Sequence, residues 1–146
     1  MKIQREVEIF INSLIDNIGT TGLPDGEREE SATTALGTMD ISPDGIVISF
    51  SENTDGGAVN TEIELSDVSI RVVRRGAIVS DMTFSEGESH SSVYSIPPYS
   101  FDAQIFTRRI RGKIDAGGGF VDIFYDMEIG GAKKSVKMKL SSRIKE

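Results

Sequence analysis

The chain has 146 residues, no cysteine and a formal net charge of −7. That length supports one domain with a core that needs no disulfide staples, and the lack of cysteine excludes thiolate chemistry. The acidic balance disfavours a general nucleic-acid binder.

The opening residues carry Glu6 and Glu8 where a signal peptide needs an unbroken apolar run, and no stretch is long and apolar enough to span a membrane as a helix. A single cytoplasmic domain over 1–146, with neither nucleic acid nor membrane as partner, is the expectation. Ile3, Val7, Phe10, Ile11, Leu14, Ile15 and Ile18 fit a helical period, whereas Val7, Ile9 and Ile11 fit a strand. The β-branched content and the β-rich remainder favour a strand over about 5–15. Residues 19–26, with Pro24-Asp25-Gly26, read as a turn or loop. Thr33, Ala35, Gly37, Met39 and Ile41 share one face of the next strand, and the mid-strand glycine marks a bend or a close approach. Pro43-Asp44-Gly45 turns the chain. Ile46, Ile48 and Phe50 alternate up to Glu52 in the same row; Asp55-Gly56-Gly57 turns again, and Val59, Thr61, Ile63 and Leu65 alternate after it.

A hairpin over 68–84 follows. Val68, Ile70 and Val72 alternate before a turn at Arg75-Gly76, and Ile78, Met82 and Phe84 alternate after it. Arg74 continues the core-facing row. Residues 85–92 read as a polar loop containing His90, and Val93–Ile96 as a short strand ended by Pro97-Pro98. Tyr99, Phe101, Ala103, Ile105 and Thr107 alternate next. Asp115 to Gly119 is a glycine-rich turn. Val121, Ile123, Tyr125, Met127 and Ile129 form one more row, Gly130-Gly131 turns, and Val136, Met138 and Leu140 close the chain with Lys137, Lys139 and Arg143 on the opposite face.

Eight to ten short strands with regular turn signals predict an all-β antiparallel sandwich or barrel. Glu6 and Glu8 on the first strand and Lys137 and Lys139 on the last would pair if those strands were neighbours, which favours closure into an up-and-down barrel. Residues 1–67 hold three Lys/Arg and fourteen Asp/Glu, a formal −11, whereas 68–146 hold thirteen and nine, a formal +4. Pairing of acidic with basic strands accounts for that asymmetry better than a basic interaction face does.

Val7-Glu8-Ile9, Ile48 to Glu52, Thr61-Glu62-Ile63, Arg74-Arg75-Gly76, Met82 to Gly87, Tyr94 to Pro97, Ile105-Phe106-Thr107, Gly118-Gly119 and Tyr125 occur in that order. This ordered set, spread over nearly the whole chain, resembles the bacterial YwiB-like β-barrel family. The resemblance implies a calycin (lipocalin-like) barrel and carries no activity with it. The sequence departs from the family pattern at Phe50, where a tyrosine is usual, and at Pro98-Tyr99-Ser100, where a Pro-Tyr-Gly turn is usual.

One histidine without cysteine is poor material for a zinc or copper site, and His90 reads as a solvated loop residue. Residues 115–119 lack the Lys-Ser/Thr of a P-loop, and residues 53–57 lack the later glutamate of an EF-hand loop. Nothing calls for a cofactor or a metal, and no catalytic set supports an enzyme. Glu52, Thr61, Arg74, Thr107 and Tyr125 share parity with core residues, and Tyr94 is placed with them. A buried lone charge is costly, so Arg74 requires a partner. Either Glu52 supplies it in an internal ion pair, or the carboxylate or phosphate of a small, otherwise apolar ligand does. The leading expectation is a non-enzymatic barrel that binds such a ligand. The alternative is a filled barrel acting through exterior Phe10, Phe106, Phe120 and Phe124 on a protein partner or as a homodimer, unless those rings pack beneath loops or a short helix.

Overall fold

A computed structural model describes residues 3–18, 26 and 28–145. The loop expected at 19–26 therefore lies, apart from Gly26, outside the described residues. Ten strands make up the chain: β1 (Ile3–Ile18), β2 (Glu29–Ser42), β3 (Gly45–Thr54), β4 (Gly57–Leu65), β5 (Ile70–Gly76), β6 (Val79–Phe84), β7 (Ser89–Ile96), β8 (Tyr99–Asp115), β9 (Gly118–Ile129) and β10 (Ala132–Ile144). Each pairs antiparallel with its sequence neighbours, and β1 pairs with β10, so the sheet closes into an up-and-down barrel.

The period-two rows dictate what fills it. Val7, Ile9 and Ile11 of β1 point inward, as do Met39, Ile48, Ile63, Val72, Phe84, Ile105, Ile123 and Leu140 of other strands, and all are buried. These side chains form one continuous core. Because successive side chains point to opposite faces, charged and polar residues between them reach solvent without breaking the ladder. Closure leaves the first and last strands without an exposed edge, which removes a template for aggregation.

Several local expectations are corrected. The expected cross-strand pairs of β1 with β10 do not form. Glu8 instead faces Arg143, with Arg143 Nη2 2.9 Å from Glu8 Oε2, while Lys137 and Lys139 face Leu14 and Asn12. The register is set by the inward rows Val7–Ile144 and Ile11–Leu140, since a one-residue slip would turn every apolar side chain outward. Val68 lies before β5 and is 80% exposed rather than core-facing. The hairpin turn falls at Ala77-Ile78, not at Arg75-Gly76. Gly76 (φ +114°) ends β5 against Val59, where a Cβ would run into the Ala58 carbonyl oxygen. The polar segment 85–92 is a loop only up to Glu88; His90 lies within β7 and is half-buried.

β8 continues through 17 residues because a bulge between Thr107 and Arg109 re-phases it. Ala103, Ile105 and Thr107 face inward before the bulge, and Ile110 and Ile114 after it, while Arg108 and Arg109 are both exposed. Glu86 Oε2 accepts a 3.0 Å hydrogen bond from the Ile110 amide beyond the bulge.

Gly37 is the close approach expected of β2. A Cβ there would meet the Ser49 carbonyl oxygen, the Ile9 Cδ1 methyl at 2.8 Å and Phe50 Cβ at 3.0 Å. Gly37→Ala should lower the urea midpoint by the equivalent of about 1–3 kcal/mol without changing the slope of the transition; an unaltered midpoint would show that β2 and β3 part freely at this point.

Candidate functional site

The inward row that contains Arg74 crosses five strands. Phe50 faces Thr61, Thr61 faces Arg74, Arg74 faces Ser80, and Ser80 faces Tyr94. On the other side of the lumen Thr107 faces Tyr125. The positive charge of Arg74 acts on the Tyr125 phenol, which links the two walls. Tyr125 also packs on Phe84, with ring centroids 4.7 Å apart and a tilt of 52°. Five of the six sequence-selected residues thus sit in two directly paired groups. The sixth, Glu52, lies one inward position beyond Phe50, opposite Val59, and is half-buried.

The expected Glu52–Arg74 ion pair is absent. Among the described residues no carboxylate stands within ion-pair distance of Arg74, although Arg71, Arg75, Arg108 and Arg143 all have one. The register explains this: Glu52 is displaced along the barrel from Arg74 by two residues, with β4 between them. Two buried hydroxyls directly opposite Arg74 also lack a protein partner, Thr61 Oγ1 and Ser80 Oγ, in residues 1% and 2% exposed, as does Thr107 Oγ1 opposite Tyr125. Buried polar groups in folded proteins are nearly always paired, and an unpaired one costs about 1–3 kcal/mol.

An approach to this row exists where β6 and β7 separate. Their backbones pair only at Val79–Ser95 and Ser80–Tyr94. Beyond that point the Ser92 hydroxyl donates a 2.6 Å hydrogen bond to the Asp81 carbonyl. A recess of about 920 Å³ opens there, lined by exterior residues such as Arg71 and Val79 and by the inward-parity residues Arg74, Ser80, His90 and Ser92. Side chains of both parities line one recess because the sheet is parted. On the outer side, Arg71 bridges Glu64 (3.1 Å) and Asp81 (2.6 Å) across β4, β5 and β6. The Arg71 guanidinium holds the Asp81 carboxyl below its ordinary range, chiefly by hydrogen bonding. A second recess, of about 930 Å³, lies at the opposite end of the barrel with Ile46, Leu65 and Ile110 in its wall, remote from Arg74.

Residues 17–141 match the family described as "Domain of unknown function (DUF1934)". The chain belongs to this family. It is 25% identical over 130 residues to the uncharacterized β-barrel protein YwiB of Bacillus subtilis (strain 168), an alignment covering 89% of this chain and 87% of that one. The crystal structure of the Bacillus subtilis protein superposes with a TM-score of 0.83 at 22% identity, over 98% of this chain and 94% of that chain. The closed ten-strand barrel is therefore shared.

Within this DUF1934 chain the sequence reading missed Ser80, His90 and Ser92. Ser80 carried a signal, since it falls in the even row between Ile78 and Met82. His90 and Ser92 share parity with Tyr94, but their serine-rich surroundings resemble a loop. His90 Nδ1 is buried and has no protein partner.

Burial pushes the Tyr125 phenol up to about 12, with Arg74 opposing the shift. Because the folded-state value lies above the ~10 of a free phenol, the stability this group contributes is fully present below about pH 10 and lost as pH rises toward 12. Absorbance at 295 nm should show a late ionisation near pH 12, accompanied by weakening of the fold. Tyr125→Phe should remove that step, and its persistence in the variant would assign it to another group.

Proposed function

We propose that the barrel is a non-enzymatic, calycin-like container for a small amphipathic anion, whose carboxylate or phosphate pairs with Arg74. The observation that carries this reading is the uncompensated guanidinium among the unpartnered hydroxyls of Thr61 and Ser80. A guanidinium offers a planar fork of donors suited to a carboxylate or phosphate. Hydroxyls beside it complete the remaining lone pairs of such a group.

The same geometry limits the guest. Phe84, Ile105 and Ile123 fill the lumen, so a long chain does not fit along the barrel axis. The head group enters between β6 and β7, and a short apolar body rests in the recess near Val73, Val79 and Val93. Thr61 and Tyr94 continue the Arg74 row on either side, Glu52 lies one inward position beyond Phe50, and Thr107 pairs with Tyr125, whose phenol feels the Arg74 charge. The cysteine-free chain is compatible with a reducing compartment, and we place this role in the cytoplasm.

Thermal melts with octanoate and with hexyl phosphate test the proposal. A saturable rise in Tm is expected, since ligand at a hundred times its Kd adds about 2.7 kcal/mol. Arg74→Met should abolish the rise. Arg75→Met, which removes an exposed cation bound to Glu62 on the outer face, should retain it. No rise with either anion, or an equal rise in both variants, would contradict an anion site at Arg74.

A further inference from the structure

The outer face of β8, β9, β10 and β1 carries a pattern unlike the rest of the surface. Across the strands, Arg109 faces Phe124 and then Lys137; Arg111 faces Asp122 and then Lys139; Lys113 faces Phe120, then Ser141, then Phe10. Arg143 completes the set opposite Glu8. Six exposed cations thus share these rows with three carboxylates, Asp115, Asp122 and Glu8, and the next row adds Asp126, which pairs with Arg108, and Asp16, which pairs with Arg28. Of the six, only Arg143 forms an ion pair among the described residues.

The aromatic rings lie among these cations. Lys139 Nζ is 4.7 Å from the centre of the Phe120 ring, Lys137 Nζ 5.5 Å from Phe124, and the Arg143 guanidinium carbon 5.8 Å from Phe10. Phe120 is 45% exposed and Phe10 36%. They stand on the strands themselves, and the described residues include no helix.

We infer that this face binds single-stranded nucleic acid. Flat sheet surfaces with exposed rings and interspersed cations take unstacked bases onto the rings and phosphates onto the cations. Phe10 and Phe120 stand two strands apart, roughly 10 Å, and Phe120 and Phe124 four residues apart, roughly 13 Å, so successive rings take alternate bases. The face spans on the order of four nucleotides, the low end for a single β-barrel module. Net charge alone argues against nucleic acid, but a phosphate backbone responds to the local field within a Debye length of about 10 Å, not to the chain total.

Fluorescence anisotropy with labelled twelve-residue oligouridine and oligothymidine, a duplex of equal length, dextran sulfate as competitor and phosphatidylserine vesicles tests this inference. At 50 mM salt both single strands should bind more tightly than the duplex. Phe120→Ala should weaken binding about 5- to 100-fold. Lys137→Gln with Lys139→Gln should flatten the log–log salt dependence by about 0.7 per lysine. Circular dichroism and Tm check that these surface variants remain folded. Absence of binding, an unchanged affinity in Phe120→Ala, or preference for dextran sulfate or the vesicles over the single strands would overturn it.

Discussion

Ring closure of the backbone ladder is the constraint on which the other features depend. Once β1 pairs with β10, every strand has two neighbours and every side chain is assigned to the lumen or to the outside. A residue of core parity is then directed toward the lumen, although Arg74, at the β6–β7 opening, is only half-buried. That is how Arg74 comes to lie between Thr61 and Ser80, and how Tyr125 comes to be buried with its phenol near a guanidinium. The interior is otherwise apolar and packed, so these few polar groups stand out against it.

The same closure makes the β6–β7 seam informative. β1 and β10 pair through twelve residues, β6 and β7 through two. The parted strands are not left wholly unsupported: the Ser92 hydroxyl reaches the Asp81 carbonyl, and the loop between them bonds to β8 through the Gly87 amide and the Thr107 carbonyl at 2.8 Å. The result is a local opening in an otherwise continuous wall, at the place where the unpaired cation lies. Outside the seam, acidic β4 meets cations on β5, as Arg71–Glu64 and Arg75–Glu62 demonstrate, whereas cations of β8 and β10 stand beside phenylalanines. Charge asymmetry along the chain thus has two origins, cross-strand pairing on one side of the barrel and a basic, aromatic face on the other.

Much of the architecture was legible because alternation has a period of two and both β3 and β9 keep it strictly, with Ile48 and Phe50 or Val121, Ile123 and Tyr125 inward. The inward parity of Thr61, Thr107 and Tyr125 was legible for the same reason. Three things were not. The bulge at Thr107–Arg109 depends on a tertiary partner, Glu86, that local sequence does not announce. Strand register between distant segments rests on the sum of many inward contacts, so the Glu8–Arg143 pair could not be chosen over pairs with Lys137 or Lys139. The start of β7 was hidden because serines 89, 91 and 92 resemble turn residues, although Ser92 serves as a hydrogen-bond donor across the seam.

Native-state hydrogen exchange measures the parted seam directly, since amides without ladder partners open more readily than those within a continuous sheet. The account predicts fast exchange for seam-facing amides at 82–84 and 90–92 and slow exchange throughout the β1–β10 ladder. Protection at the seam equal to that of β1 and β10 would mean that the wall is sealed there and that Arg74 has no route to a guest.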